Sequence, residues 1–227
     1  IMALAVVALV IPLLPRKAAP ATGDGNRVLI LHDLQPEAAK ALFGDISAAK
    51  FFCAARKMVP CRGLCDCWLK TPGQCVLHDG SHTLGREIAT CDDLIIVSKS
   101  LYGGFDREVK NALDRSISFV LPFFHVRNRE LQRQARHANR GNMRVCIYNA
   151  DSLSDSDKAL MCAVAKANSI NMNKNAPEVV FVREPAELRG QSREGFDAQR
   201  KPQGYNQRIE VLSRDAGYAD GRVRNNK

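Results

Sequence analysis

One stretch limits the fold of this chain more than any other. Asp93–Ser98 (DLIIVS) places four aliphatic residues in a row. A strand built from them has no polar face and must be covered on both sides. Arg27–Leu31 (RVLIL), Phe51–Ala55 (FFCAA), Met143–Tyr148 (MRVCIY) and Glu178–Val182 (EVVFV) read as further strands. Helical stretches separate them. Pro36 and Glu37 suit a helix start and Gly44 its end. Ser81 is placed to cap a helix with Leu84 and Ile88 on its inner face. Val109, Leu113 and Ile117 share a stripe on the next helix. Ser154 with Asp157 opens the last one, with Leu160, Val164 and Ala167 inward. The alternation predicts an α/β fold: a doubly wound, five-stranded parallel sheet with helices on both faces. Such sheets take ligands at the carboxyl ends of their strands, here after Leu31, Ser98 and Tyr148.

The domain expected from this pattern runs over residues 27–182, and residues 1–26 fall outside it. Ile1–Leu14 is uncharged and nearly all aliphatic. It is short for a bilayer span, Pro12 and Pro15 interrupt it, and no basic flank precedes it. The favoured reading is an apolar leader followed by a flexible linker, Ala18–Asn26 (AAPATGDGN), with a signal or membrane anchor as the alternative. Residues 183–227, rich in Gly, Arg, Gln and Asn, read as a basic, flexible tail. The formal net charge of +9 is uneven, since Arg127–Arg144 holds six arginines against one glutamate. A solvated arginine-rich loop is favoured there over a nucleic-acid surface, because no nucleic-acid motif accompanies the charge.

Eight cysteines in a chain of 227 residues with strongly apolar strands do not read as a secreted disulfide scaffold. A reducing, cytoplasmic setting is expected. Four of them crowd together in Cys61-Arg-Gly-Leu-Cys65-Asp-Cys67-Trp68 and, after a Pro-Gly turn, Cys75. Three readings stay open: reactive thiols, a bound metal or cluster, and packing cysteines. The single residue between Cys65 and Cys67 makes joint ligation of a tetrahedral ion awkward, so no iron–sulfur cluster or other metal is expected. Trp68 is either a cover over an aromatic ligand or the hydrophobic anchor of a long loop. After the central strand, Ser98-Lys99-Ser100-Leu101-Tyr102-Gly103-Gly104 offers backbone that a flat ligand can approach and a ring to stack on it. The bland alternative is a tight strand-to-helix turn. Lys110 and Asp114, four apart, suit a surface ion pair.

From Cys61 to Phe124 these pieces combine. Cys61…Cys67-Trp68-Leu69-Lys70-Thr71-Pro72-Gly73…Cys75 and Asp79 come first, then Asp93-Leu-Ile-Ile-Val97 and Tyr102-Gly103-Gly104. Lys110, Leu113-Asp114-Arg115 and Leu121-Pro122-Phe123-Phe124 complete the set. Together they resemble the NAD(P)H-dependent FMN reductase and iron–sulfur flavoprotein branch of the flavodoxin-like proteins. The resemblance implies a flavodoxin-like fold, a non-covalent FMN at the strand ends and a nicotinamide electron donor. The flavin ring would lie against Ser98, Ser100, Leu101, Tyr102, Gly103 and Gly104, with Trp68 over its edge. Its phosphate would follow the first strand, near His32 and Leu34. Cys61, Cys67 and Cys75 would be the catalytic thiols, on a wall beside the flavin. The chain departs from the family in two places. His32-Asp33-Leu34-Gln35-Pro36 replaces a hydroxyl-rich phosphate loop, and Leu64 stands where the cluster-bearing branch has its middle cysteine.

The implied function is an FMN-dependent oxidoreductase reduced by NAD(P)H, with a small-molecule or protein acceptor that the sequence does not identify. A flavodoxin-like binding or scaffold protein without bound flavin is the alternative, and the phosphate loop favours it. A homo-oligomer joined through the Pro122–Asn142 connection is expected. Nucleic-acid and membrane partners are not.

Overall fold

The computed structural model describes residues 27–127 and 130–189. The expectations for residues 1–26, and for the tail from residue 190 onward, lie outside the described residues. The elements run β1 (Val28–His32), α1 (Pro36–Phe43), β2 (Ala49–Cys53), α2 (Asp66–Leu69), α3 (Leu84–Thr90), β3 (Asp93–Leu101) and β4 (Gly104–Phe105). They continue as α4 (Arg107–Arg115), β5 (Val120–Arg127), β6 (Glu130–Ala135), β7 (Asn142–Tyr148), α5 (Asp155–Asn171) and β8 (Glu178–Phe181). Five strands pair in parallel in the order β2-β1-β3-β7-β8. That is the flavodoxin-like order of a doubly wound sheet.

The aliphatic run of β3 occupies the middle of this sheet, and Leu94, Ile95, Ile96 and Val97 are fully buried. Side chains alternate between faces, and the core divides accordingly. Leu29, Leu31, Leu94, Ile96, Val145 and Ile147 meet α3, α4 and α5 through Leu84, Ile88, Val109, Leu113, Met161 and Ala165. Val28, Ile30, Ile95, Val97 and Cys146 meet α1 through Ala39, Leu42 and Phe43. Each buried aliphatic side chain contributes about 1.5–3 kcal/mol, so a strand buried on both faces pins its own position. Leu188, on a short 3-10 turn at Pro185–Leu188, joins the second cluster. Packing therefore continues past Val182 to this turn, which begins within the span read as tail.

Three local expectations change. On α5 the inward stripe is Met161, Ala165 and Ser169, whereas Leu160 and Val164 are exposed. Small residues let the helix lie close to the sheet, so the slimmer stripe faces inward. Ser154 caps α5 as expected, in a reciprocal capping box with Asp157. Ser81 does not cap α3; it donates to Asp79 Oδ1 at 2.6 Å, and Thr83 takes the cap position. The long connection after α4 is an antiparallel hairpin, β5–β6, whose register slips between Val120 and Phe124, around Pro122. Proline lacks the N–H a regular ladder needs, and such irregularities are where strands tolerate it. Gly85 on α3 is a requirement of close approach. A Cβ there would collide with Ser118 Oγ and the Ser116 carbonyl oxygen.

Candidate functional site

The sequence-predicted residues fall into two places. The first is the crest formed by the carboxyl ends of β1, β3 and β7. Here β3 runs on beyond the sheet and turns back on itself, with Ser100 opposite Phe105 and Leu101 opposite Gly104. Tyr102 and Gly103 form the two-residue loop, with φ of 50° and 72°. Two positive φ values are the signature of a type I′ hairpin turn, whose twist matches that of its strands. Tyr102 is 99% exposed. Ser98 ties down the base of the hairpin: its Oγ accepts the Asp106 N–H at 2.9 Å and donates to the Lys99 carbonyl at 3.0 Å. Ser100 Oγ is buried without a hydrogen-bond partner.

Across the crest, β1 ends in His32 and Asp33. The buried His32 ring is hydrogen-bonded through Nδ1 to the Leu34 carbonyl at 3.1 Å, and burial lowers its pKa. Asp33 Oδ2 accepts the Lys99 backbone N–H at 2.7 Å, which ties the end of β1 to that of β3 at the switch point. Burial pushes the pKa of Asp33 up, and the hydrogen bonds from Lys99 and Tyr148 partly offset it. Tyr148 is raised in turn, by burial first and then by the Asp33 charge.

This geometry can be compared with the parts of FMN. The ring end offers the exposed Leu101 and Tyr102 side by side on a tight turn, whereas Gly103, expected to present open backbone, is buried against Asp157. The phosphate end does not fit the β1–α1 loop. Asp33 adds a carboxylate there, and its own N–H is committed to the Val97 carbonyl. Pro36, at the first turn of α1, has no N–H, and Leu34 is buried. The loop therefore sets a carboxylate and a proline where a phosphate would meet the start of the helix, and the Asp33 N–H is already spent.

The second place is a cavity of about 750 Å³ between α4, α5, the cysteine loop and the β5–β6 hairpin. Cys61, Cys65, Cys67, Cys75 and Trp68 line it. Of the crest residues His32, Leu34, Ser98, Ser100, Leu101, Tyr102, Gly103 and Gly104, none does; Phe105, at the foot of the turn, lines it from that side. The structure thus brings the three predicted thiols and Trp68 together but sets them apart from the strand-end turn. The fold gives the reason: the loop leaves β2 at the sheet edge and is drawn over α4.

What draws it there is Arg115, a residue the sequence placed on α4 without a role. Its side chain is 0% exposed. Its guanidinium meets Asp79 with a fork, Nη1 to Oδ2 at 2.7 Å and Nη2 to Oδ1 at 3.0 Å. It also donates to the Leu77 and Val59 carbonyls and, through Nε, to Cys75 Sγ at 3.2 Å. Bidentate, charge-assisted contacts of this kind are the strong ones. Arg115 accordingly holds the Asp79 carboxyl well below the usual carboxylate range. One signal was available in the sequence: Arg115 lies three residues after Ala112, on the edge of the buried stripe of α4.

Arg133, from β6, lies 4.2 Å above the Trp68 ring and 4.3 Å from the Phe124 ring, a cation held between two aromatics. Arg136 donates to the Ser118 carbonyl, and Arg144 pairs with Glu178. Three of the six arginines in the basic stretch are therefore spent inside the fold. Trp68 Nε1 is buried without an acceptor, at a cost of about 1–3 kcal/mol. Burial raises the pKa of Cys67, and the neighbouring Cys75, Cys61 and Cys65 add to it, which places the other three sulfurs within electrostatic reach of Cys67. All eight cysteines are free thiols. Among the described residues no group of three His, Cys, Asp or Glu side chains is arranged to hold a metal ion. Lys110 and Asp114 form an exposed pair at 2.6 Å, of the kind that contributes about 0.3–0.5 kcal/mol.

Fold and crest define a flavodoxin-like, doubly wound α/β protein. No protein-family profile matches the chain, and no curated protein matches it. Among solved structures it is similar to an FMN-dependent NADH-azoreductase from Bacillus anthracis str. Ames Ancestor in complex with FMN. That match has 13% identity and a TM-score of 0.45, and covers 85% of this chain and 100% of the other. It is also similar to an azoreductase from Bacillus anthracis str. Sterne (10% identity, TM-score 0.48, covering 85% and 99%). A third is Smu.1420 from Streptococcus mutans UA159 (13% identity, TM-score 0.47, covering 76% and 95%). The fold assignment rests on the strand order and not on these likenesses. No described helix is long and apolar enough to cross a membrane.

Proposed function

We propose that this chain is an FMN-dependent oxidoreductase, with the flavin ring seated at the strand ends and reduced by NAD(P)H. The observation that carries the reading is the Tyr102–Gly103 turn: a fully exposed aromatic on a rigid hairpin at the switch point of a doubly wound sheet. Bound flavin would supply the redox chemistry, and the protein the positioning. Leu101 and Tyr102 would stack against the ring and Gly104 would meet its edge, while Gly103 sets the turn and Ser98 and Asp106 keep it in place. His32 and Leu34 shape the floor and do not grip the phosphate, so the affinity comes from the ring. Cys61, Cys67 and Cys75 are proposed as the thiols that act on substrate, from the cavity and not from the ring seat. The acceptor is a small molecule or a protein, and the setting is a reducing one such as the cytoplasm.

A second reading, a flavin-free binding or scaffold protein, is favoured by one observation, the Asp33–Lys99 tie that closes the switch point. Purified protein with its absorbance recorded, followed by titration of FMN fluorescence, separates the two. A yellow protein, or saturable quenching, supports the enzyme. A colourless protein that leaves FMN fluorescence unchanged at saturation overturns the enzyme reading and leaves the scaffold. We also propose self-association through the β5–β6 hairpin, where Val126 is 72% and Leu131 68% exposed. A monomeric mass in light scattering at all concentrations would refute it.

A further inference from the structure

The four thiols of the cavity are not equivalent. Cys61 and Cys65 are exposed, and among the described residues neither has a cation hydrogen-bonded to its sulfur. Cys67 is half-buried, and burial first, then its neighbours' sulfurs, discourage its ionisation. Cys75 lines the cavity at the front while the buried Arg115 stands behind it, Nε donating to Sγ at 3.2 Å. That donor cannot swing away, because both oxygens of Asp79 hold the rest of the guanidinium. A fixed guanidinium N–H therefore faces this one sulfur. The thiolate is the nucleophilic form of cysteine, and a donor that cannot move holds the attacking sulfur at the cavity wall.

The cavity itself selects for a kind of ligand. Its volume, about 750 Å³, lies within the size range of small-molecule sites. Leu64, Leu77, Leu113, Ile117 and Phe119 make its walls largely apolar, which favours a neutral compound. A thiol in such a wall adds to a neutral acceptor without expelling a leaving group when that acceptor is a conjugated carbonyl.

We propose that Cys75 captures flat, neutral α,β-unsaturated carbonyl compounds that enter this cavity, with Arg115 as its positioning residue. The Cys75 thiol gives its proton to solvent, and a sulfur electron pair forms a C–S bond to the β-carbon. The C=C π pair moves to the carbonyl as an enolate, which takes a proton back at the α-carbon. Nothing is oxidised or reduced overall, so the step requires neither flavin nor nicotinamide; it rests on the reading above that Cys75 acts on substrate from this cavity, and it stands or falls independently of flavin binding.

The test uses the full chain, two reagents in limiting amount and peptide mass to read each cysteine. N-phenylmaleimide is flat, neutral and an unsaturated carbonyl; iodoacetamide is small and needs no cavity. The maleimide labels Cys75 about tenfold faster than Cys61 or Cys65 despite their greater exposure, the size of effect a charge-assisted hydrogen bond gives. Iodoacetamide labels Cys61 and Cys65 first. Arg115→Lys, which keeps the charge and loses the fork, slows the maleimide at Cys75 about tenfold and leaves Cys61 and Cys65 unchanged. If Arg115→Lys does not fold, the reagent contrast in the wild type decides. Maleimide labelling that follows exposure, or that falls equally at all four thiols, overturns the proposal.

Discussion

Removing either partner of the Arg115–Asp79 pair tests the claim that one buried cation organises the cysteine loop. The Arg115 side chain is 0% and the Asp79 side chain 18% exposed. Truncating one member of such a pair typically costs about 3–5 kcal/mol, because the other is left buried and uncompensated. Asp79→Asn strands the guanidinium; Arg115→Met strands the carboxylate and frees the Leu77 and Val59 carbonyls. The double variant loses less than the sum, since each change removes what the other would leave unpaired. Urea unfolding of the four proteins gives the coupling, expected to exceed about 1.5 kcal/mol where independent sites add to within about 0.5. The pH dependence has a definite sign. Asp79 is depressed in the folded state, so its stabilisation is present above the unfolded carboxylate value of about 3.9 and is lost as pH falls through the folded value. The gap between wild type and Asp79→Asn must therefore narrow on acidification below about pH 4. Additive single changes, or a gap that widens in acid, would refute the reasoning.

Asp33 has the opposite sign: burial raises its folded value, so the stability it supports is complete below the unfolded value and is lost as pH rises through the folded one. Asp33→Asn still accepts the Lys99 N–H, so its melting temperature should exceed the wild type's near neutral pH and match it in acid, and FMN should bind more tightly. Tyr102→Asn replaces a strained residue with one that tolerates positive φ, so thermal stability should rise by up to about 1 kcal/mol. FMN affinity should fall about fivefold for loss of the ring; an unchanged affinity in fluorescence titration would move the ring seat elsewhere. Gly85→Ala drives a methyl into Ser118 and the Ser116 carbonyl; overpacking of this kind costs about 1–3 kcal/mol, visible as a lower melting temperature.

The sheet was legible in the sequence because a strand buried on both faces can hide no polar residue, and Leu94–Val97 announce that on their own. The Ser154 cap and the inner face of α3 were legible for a similar reason: each is a pattern within a few residues of itself. The α5 stripe was misjudged because two stripes, Leu160–Val164 and Met161–Ala165, both satisfy helical spacing, and only the distance between helix and sheet decides which turns inward. The β5–β6 hairpin was hidden because its alternating polar residues and Pro122 resemble a loop, and its pairing is a contact between segments rather than a property of either.

The residues of the candidate sites were readable as residue types, four crowded thiols and a Tyr-Gly-Gly turn, because chemistry is carried by side-chain identity. Their grouping was not. That the thiols share a cavity with Trp68 and Arg133, apart from Tyr102, and that Arg115 reaches 36 positions back to Asp79, follows from how β2, α4 and the hairpin pack. Local sequence determines which segments must be buried and where the backbone can turn. Only the tertiary structure brings distant charges within a few ångströms, where burial makes their partnership decisive.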